Sequence, residues 1–278
     1  MKSLRDSNVV ITGAGSGIGR ALAEQAAREG ARLALCDWNE EGLRETVAGI
    51  GGSVLHEKLD VRSDEGVRSF ADRVERELGG AHVVVNNAGV SVSEHVGAMK
   101  REDFEWLFDV NFWGVVRCTE AFLPQLRRQR SAHLVNVSSI FGIIAVPSQS
   151  AYNASKFAVR GYTEALRQEL ADTAIRVTCV HPGGVRTNIC ANGRQYSNLR
   201  GEPTDVKELS ENFAKLARTS PAKAAEIIWA AVRADAPRVL VGSDARFADL
   251  VQRVFPTRYP AVLRGFTALL ERATGSRV

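Results

Sequence analysis

The chain has 278 residues, 45% of them hydrophobic and 24% charged, with a formal net charge of +4; this balance excludes long disordered spans and leaves ample apolar side chains for a large core. Four widely spaced cysteines (Cys36, Cys118, Cys179, Cys190) without a C-x-x-C pair, and five scattered histidines, exclude a disulfide framework and a zinc site, so no metal is expected. The positive excess sits in the tail, where residues 232–278 carry eight arginines and four acids; with no nucleic-acid motif beside it, a nucleic-acid partner is not expected. Strand-like Val9-Val10-Ile11 follows Met1 closely and no apolar run reaches the ~18 residues of a membrane span, so an intracellular, cytoplasmic protein is expected.

Residues 7–36 read as an apolar run, a glycine-rich turn (Thr12-Gly13-Ala14-Gly15-Ser16-Gly17-Ile18-Gly19), a helical stretch Arg20–Glu29 and a second apolar run Arg32–Cys36. This is a βαβ unit, whose parallel strands require a right-handed crossover. Gly13, Gly17 and Gly19 let a diphosphate approach the N-terminus of the following helix, whose free amides and dipole favour anions. Asp37 ends the second strand, 18 residues after Gly19, where a carboxylate accepts hydrogen bonds from a ribose diol and repels a 2′-phosphate. Its neighbours Ser16 and Trp38 supply no basic group, so NAD is expected rather than NADP.

The alternation continues with a helix over 40–50, a strand over 53–58 ending at Leu59-Asp60-Val61, a helix over 64–78, and a strand over 82–85 running into Asn86-Asn87-Ala88-Gly89. One helix is expected over 101–130 with Asn111 in its middle, then a strand over 134–137 ending on Ser138-Ser139. A helix carrying Tyr152 runs to near Ala171, and a strand over 176–180 is broken by His181-Pro182-Gly183. Such alternation implies a doubly wound α/β fold, an open and mostly parallel sheet covered on both faces. Ligands of such sheets sit beyond the carboxyl ends of the strands, and the glycine turn, Asp37, Asp60, Asn86–Gly89, Ser139 and Pro182–Thr187 all fall there.

Tyr152 and Lys156 stand at i and i+4, so on a helix phenol and ammonium project from one face. Bringing a tyrosine from a pKa of about 10 to about 7 takes roughly 4 kcal/mol of phenolate stabilisation, which one ammonium ~4 Å away supplies at an effective dielectric of ~20. Ser139, thirteen residues upstream, would offer a hydroxyl to the same substrate oxygen. Alone, a Tyr-x-x-x-Lys pair is commonly a helix-surface tyrosine beside a solvated lysine.

Taken together, Thr12-Gly13-x-x-x-Gly17-x-Gly19, Asn86-Asn87-Ala88-Gly89, Asn111, Ser139, Tyr152-x-x-x-Lys156 and Pro182-Gly183-x-Val185-x-Thr187 resemble the short-chain dehydrogenase/reductase family over residues 5–243. The resemblance implies a Rossmann-type sheet of seven strands, and hydride transfer between a nicotinamide cofactor and a secondary alcohol or ketone. It implies Tyr152 as acid/base, Lys156 to lower its pKa and hold the nicotinamide ribose, Ser139 to orient the substrate oxygen and Asn111 to keep a water in a proton relay. Cofactor contacts are implied for Gly13, Ser16, Gly17, Ile18, Gly19, Asp37, Asp60 (at adenine), Val61, Asn87, Ala88, Gly89, Tyr152, Lys156, Pro182, Gly183, Val185 and Thr187 (at the carboxamide), and substrate contacts for Ser139, Phe141 and Tyr152. Family spacing selects Ser139 over Ser138, which faces the other side of a strand end. A homodimer or homotetramer is usual in the family. The competing reading is a non-catalytic NAD(H)-binding sensor or scaffold on the same fold.

Ile140, Phe141, Ile143, Ile144 and Val146, with Val90 and Val92, imply an apolar wall and a lipid-like substrate. In the family residues 188–219 form the other wall; here they are polar and mixed, and Arg194 and Arg200 either meet an anionic group or are solvated. A catalytic domain over 1–243 is expected to be followed by an extension over 244–278 of two amphipathic helices: Phe247, Leu250, Val251, Val254 and Phe255 mark the first, and Val262, Leu263, Phe266, Leu269 and Leu270 the second. These faces are expected to pack on their own subunit or a second copy, with contact to a membrane surface as the lesser alternative.

Overall fold

A computed structural model describes residues 2–198, 202–203 and 205–265. The β-branched and apolar runs form strands β1 (Asn8–Thr12), β2 (Arg32–Asp37), β3 (Leu55–Lys58), β4 (Val83–Asn86), β6 (Ala132–Val137), β7 (Ile175–Pro182) and β9 (Arg238–Val241), with the two-residue β5 (Val92–Ser93) and β8 (Arg194–Gln195) apart from them. The main sheet has seven strands in the order β3-β2-β1-β4-β6-β7-β9, and every neighbouring pair is parallel. The chain order reverses between β1 and β4, the crevice where such sheets bind ligands.

Strand side chains alternate between two cores, as the period of two requires. Val10, Val84, Leu134 and Val177 point to one face, covered by α3 (Asp64–Leu78), α5 (Gly114–Arg127) and α6 (Ser150–Glu169). Val9, Ile11, Val83, Val85 and Val135 point to the other, covered by α1 (Gly17–Arg28), α2 (Glu40–Ile50) and α8 (Pro221–Arg233). Trp229 of α8 is fully buried there and donates its indole N–H to Leu22 O at 3.1 Å. Helix starts follow side-chain caps: Asn39 accepts from Gly42 N, Ser63 from Gly66 N and Ser220, ahead of Pro221, from Lys223 N.

The structure departs from the expected elements in four places. Helix α1 begins at Gly17 rather than Arg20. The helix expected over 101–130 is α4 (Arg101–Phe108), a π-helical turn over Asp109–Trp113, and α5. Strand β7 runs on through His181 and Pro182, because both pair with β9 and Pro182 is the last residue, where its missing N–H costs least. Helix α9 (Ser243–Val254) buries Ala245, Ala248, Asp249 and Val251, while Phe247, Leu250, Val254 and Phe255 stay exposed. Within the chain, Val251 of that stripe is buried beside the small alanine face, which lies inward. Residues 259–265 are helical, whereas Phe266, Leu269, Leu270 and Arg200 lie outside the described residues. Among the described residues, no helix is long and apolar enough to cross a membrane. Helix α7 (Val206–Leu216) completes the elements of the 188–219 segment.

Candidate active site

The glycine turn is built against β4 at backbone contact. Gly13 has φ +68°, and a Cβ on it would lie 2.8 Å from Ala88 Cα; a Cβ on Gly19 would lie 2.0 Å from Gly13 O. Thr12 Oγ1 accepts from the amides of Asn87 and Ala88, both at 3.1 Å, and Asn87 Nδ2 donates to Thr12 O and Gly13 O, both at 3.0 Å. Ser16 stands at the N-cap of α1 without capping it through its side chain, so the first-turn amides of Gly17, Ile18 and Gly19 keep their ability to hold an anion. A Cβ on Gly17 would come within 2.9 Å of Thr187 Cγ2, which places the Pro182–Thr187 loop directly beside the turn.

Asp37 accepts from Gly15 N and Asn39 N, both at 2.8 Å. Burial pushes its carboxyl above the usual range, against the pull of the Asn39, Gly15 and Trp38 amides and the Arg20 charge. The expectation of no basic neighbour is therefore corrected: Arg20 stands near, although its guanidinium is taken by Gly15 O, Gly42 O and Glu45. Asp60 is gripped by Arg62 at 2.6–3.1 Å; burial raises its carboxyl, but the hydrogen bonds and charge of Arg62 win and hold it below the usual range. The Val61 side chain is buried against Gly114, where a Cβ would meet it at 2.7 Å.

Tyr152 lies in the first turn of α6 with Lys156 one turn on. Lys156 is 3% exposed, donates to Val137 O at 3.0 Å and stands 5.6 Å from the Tyr152 ring centroid. Gly89 fills the gap between Asn111 and Lys156: a Cβ there would lie 3.3 Å from Asn111 Oδ1 and 3.4 Å from Lys156 Nζ. Asn111, fully buried in the π-helical turn, accepts from Val90 N at 2.8 Å and donates to Val90 O and Ser155 Oγ. Such turns interrupt α-helices most often at functional sites. Ser139 Oγ accepts from Phe141 N at 3.1 Å, and its hydroxyl draws the Tyr152 phenol downward. Ser138 donates instead to Lys156 O at 2.8 Å. Phe141 meets Tyr152 edge-on, 6.1 Å between centroids at 88°.

The electrostatics correct one expectation. Burial pushes the Tyr152 phenol up to about 12, with the Ser139 hydrogen bond pulling the other way. A charged Lys156 ammonium, 5.6 Å from the ring centroid, would favour the phenolate, but only at pH values where Lys156 keeps its proton. Burial also pushes Lys156 itself down to about 8.

Comparison with known proteins identifies this arrangement. The short chain dehydrogenase family model matches residues 7–197. SadH of Mycobacterium tuberculosis, which carries the name of an oxidoreductase, is 45% identical over 265 residues, spanning 93% of this chain and 94% of that protein. The chain belongs to the short chain dehydrogenase family. Human estradiol 17-beta-dehydrogenase 11 is 32% identical over 269 residues, 95% of this chain and 84% of that protein. A short chain dehydrogenase/reductase from Burkholderia phymatum, solved in complex with NAD, superposes with a TM-score of 0.81 at 29% identity, covering 91% of this chain and 95% of that one.

In this short chain dehydrogenase several site contacts lie outside any motif. The segment after Thr187 is strapped to the strand after Gly89: β5 and β8 pair in parallel, Ser91 Oγ donates to Ile189 O at 2.9 Å, Gln195 Nε2 donates to Ser91 Oγ at 2.8 Å, and Ser93 Oγ donates to Ser197 O. Arg194 neither awaits an anionic ligand nor stands solvated alone. It pairs with the buried Asp103 and stacks 4.0 Å over Trp106, both on α4. His181, fully buried, shares a hydrogen bond at 2.9 Å between Nδ1 and Ser139 O, which fastens the main chain of the candidate serine. The polar, two-residue character of these contacts gives no periodic signal; only the pairing of Arg194 with an acid on another element could have been guessed.

Proposed function

We propose that the chain transfers a hydride between NAD and a secondary alcohol or ketone of apolar, lipid-like character. The observation that carries this reading is Tyr152, whose ring has the Lys156 ammonium 5.6 Å from its centroid and Phe141 edge-on beside it, and whose phenol feels the pull of Ser139. The glycine cradle suits a dinucleotide: a Cβ would fill it at Gly13 or Gly19, and the α1 N-terminus is left without a side-chain cap. A bound nicotinamide would supply the hydride acceptor and, in its oxidised form, a positive charge.

The chain's own residues then divide the work. Ser139 holds the substrate oxygen, and Tyr152 Oη takes the alcohol proton in oxidation or returns it in reduction. Lys156 stabilises the phenolate from its seat on Val137 O, and Asn111 fixes the turn from which a relay water is held. Asp37, fixed by Gly15 N and Asn39 N, favours the NAD ribose over a 2′-phosphate, in keeping with the NAD complex of the Burkholderia neighbour. Ile140, Ile143 and Ile144, all buried, back the apolar wall around Phe141; the human relative is named for estradiol, an apolar secondary alcohol.

A cytoplasmic, reducing setting suits the four free cysteines. The row of Phe104 stacked on Phe108, with Phe112 tilted against it, beside the exposed Trp113 supports self-association through α4 and α5 into a homodimer or homotetramer. The test is Tyr152→Phe, which should lose turnover while NADH binds as before; retained turnover would refute the assignment of Tyr152, and loss of NADH binding would mean that the ring serves the cradle instead.

A further inference from the structure

We infer that the C-terminal stretch from Asp244 to Leu263 is a working wall of the substrate site, in which Asp244 positions the cofactor loop and Tyr259 positions the apolar wall beside Tyr152. The inference rests on the reading of the site given above and assigns specificity to residues that no motif of the chain contains.

Asp244 lies in the first turn of α9, and its Oδ2 accepts from Gly184 N at 2.6 Å. The carboxylate, exposed to solvent, lies against two glycines: a Cβ on Gly183 would lie 2.3 Å from Oδ2, and one on Gly242 would lie 2.3 Å from Oδ1. Gly183 N donates to Val241 O at 2.9 Å, Arg186 N donates to Thr219 O at 2.9 Å, and Thr219 N donates to Gly184 O at 3.2 Å. Among these, Asp244 makes the charge-assisted contact, which is the stronger kind. The loop it fixes ends at Thr187, the residue that touches the glycine turn at Gly17.

Tyr259 acts on the opposite wall. Its hydroxyl accepts from Ala145 N at 3.0 Å, and its ring and Leu263 pack with Ile140, Phe141, Ile143, Ile144, Ala245 and Ala248. Phe141 is the member of this cluster that meets the Tyr152 ring. A chain of side-chain contacts therefore runs from Tyr259 through the buried Ile140, Ile143 and Ile144 cluster to Phe141, and from Phe141 to the acid/base candidate. The alanine face of α9 packs on the same cluster, so the helix that carries Asp244 and the stretch that carries Tyr259 meet there. The segment that carries Asp244 and Tyr259 thereby sets the spacing between cofactor loop and apolar wall, and with it the width of alcohol that fits.

The experiment uses the full chain with Asp244→Asn and Tyr259→Ala, each compared with wild type for NADH Kd by fluorescence, alcohol KM and kcat, and thermal midpoint. Asp244→Asn should weaken NADH about tenfold with alcohol KM unmoved, and Tyr259→Ala should raise alcohol KM about tenfold with NADH Kd unmoved. Tyr259→Phe, which keeps the ring, should recover most of the KM. Two variants that lower the thermal midpoint while both constants stay within about twofold, or that damage both constants together, would overturn the inference and leave the stretch a structural prop. If wild type turns over no alcohol, the proposed function fails, yet NADH Kd still decides the Asp244 contact.

Discussion

Tyr152 is the residue on which burial and charge pull in opposite directions. Burial sets the phenol at about 12, and Lys156, pushed down to about 8, loses its proton before the phenol titrates, so a further cationic group is needed to reach neutral pH. The account therefore expects Tyr152 in the cofactor-free chain, read as the ultraviolet difference from Tyr152→Phe, to titrate at pH 10 or above and to fall when NAD is added; titration below about pH 9 without cofactor would contradict it. Lys156 makes a second prediction. Its folded pKa of about 8 lies below the ordinary lysine value of 10.5, so the unfolded chain binds more protons between those values and stability rises with pH there. The penalty, about 3 kcal/mol, is complete below about pH 8 and gone above about 10.5. Wild-type stability relative to Lys156→Met should climb across that window, and a flat difference would show that Lys156 is not buried as a charge. At the ribose end, Asp37→Ala should shrink the preference for NAD over NADP; an unchanged ratio of kcat/KM values would mean that Arg20 and Glu45, rather than Asp37, set the selectivity.

Elements were legible where their ends carry chemistry. Helix α3 spans the expected 64–78 because Ser63 caps its start and Gly79 accepts a left-handed conformation at its end. The π-helical turn at Asn111 was not legible, since apolar periodicity passes through it without a break in the 101–130 pattern. Nor were β5 and β8, each two residues long and below any period. On α9 large apolar side chains mark a stripe, whereas the neighbour within the chain selects the alanine side on which a helix can approach closely. The β8 strap carries its own prediction. Arg194→Ala strands the buried Asp103 and removes the stack on Trp106, so alcohol KM should rise about tenfold with little change in NADH Kd. An unmoved KM would mean that the serine contacts hold this wall unaided.

At the scale of the whole molecule, the open parallel sheet and the convergence of its carboxyl ends follow from alternation and glycine placement, while the count of seven strands came from the family resemblance. What required the structure was every contact between segments far apart in the chain: Arg20 near Asp37, Arg194 on Asp103, His181 on Ser139, and Asp244 and Tyr259 reaching the site from the C-terminal stretch. Such contacts depend on where loops land after the sheet has formed, and no local pattern encodes them. The central claim is that this site moves a hydride to or from an apolar alcohol with Tyr152 as the proton carrier. The most direct measurement is NAD reduction against secondary alcohols of increasing chain length, with Tyr152→Phe alongside. Turnover that rises with chain length and vanishes in the variant is the predicted result. Silence across the series in a protein that binds NADH would contradict the account and favour a cofactor-binding sensor.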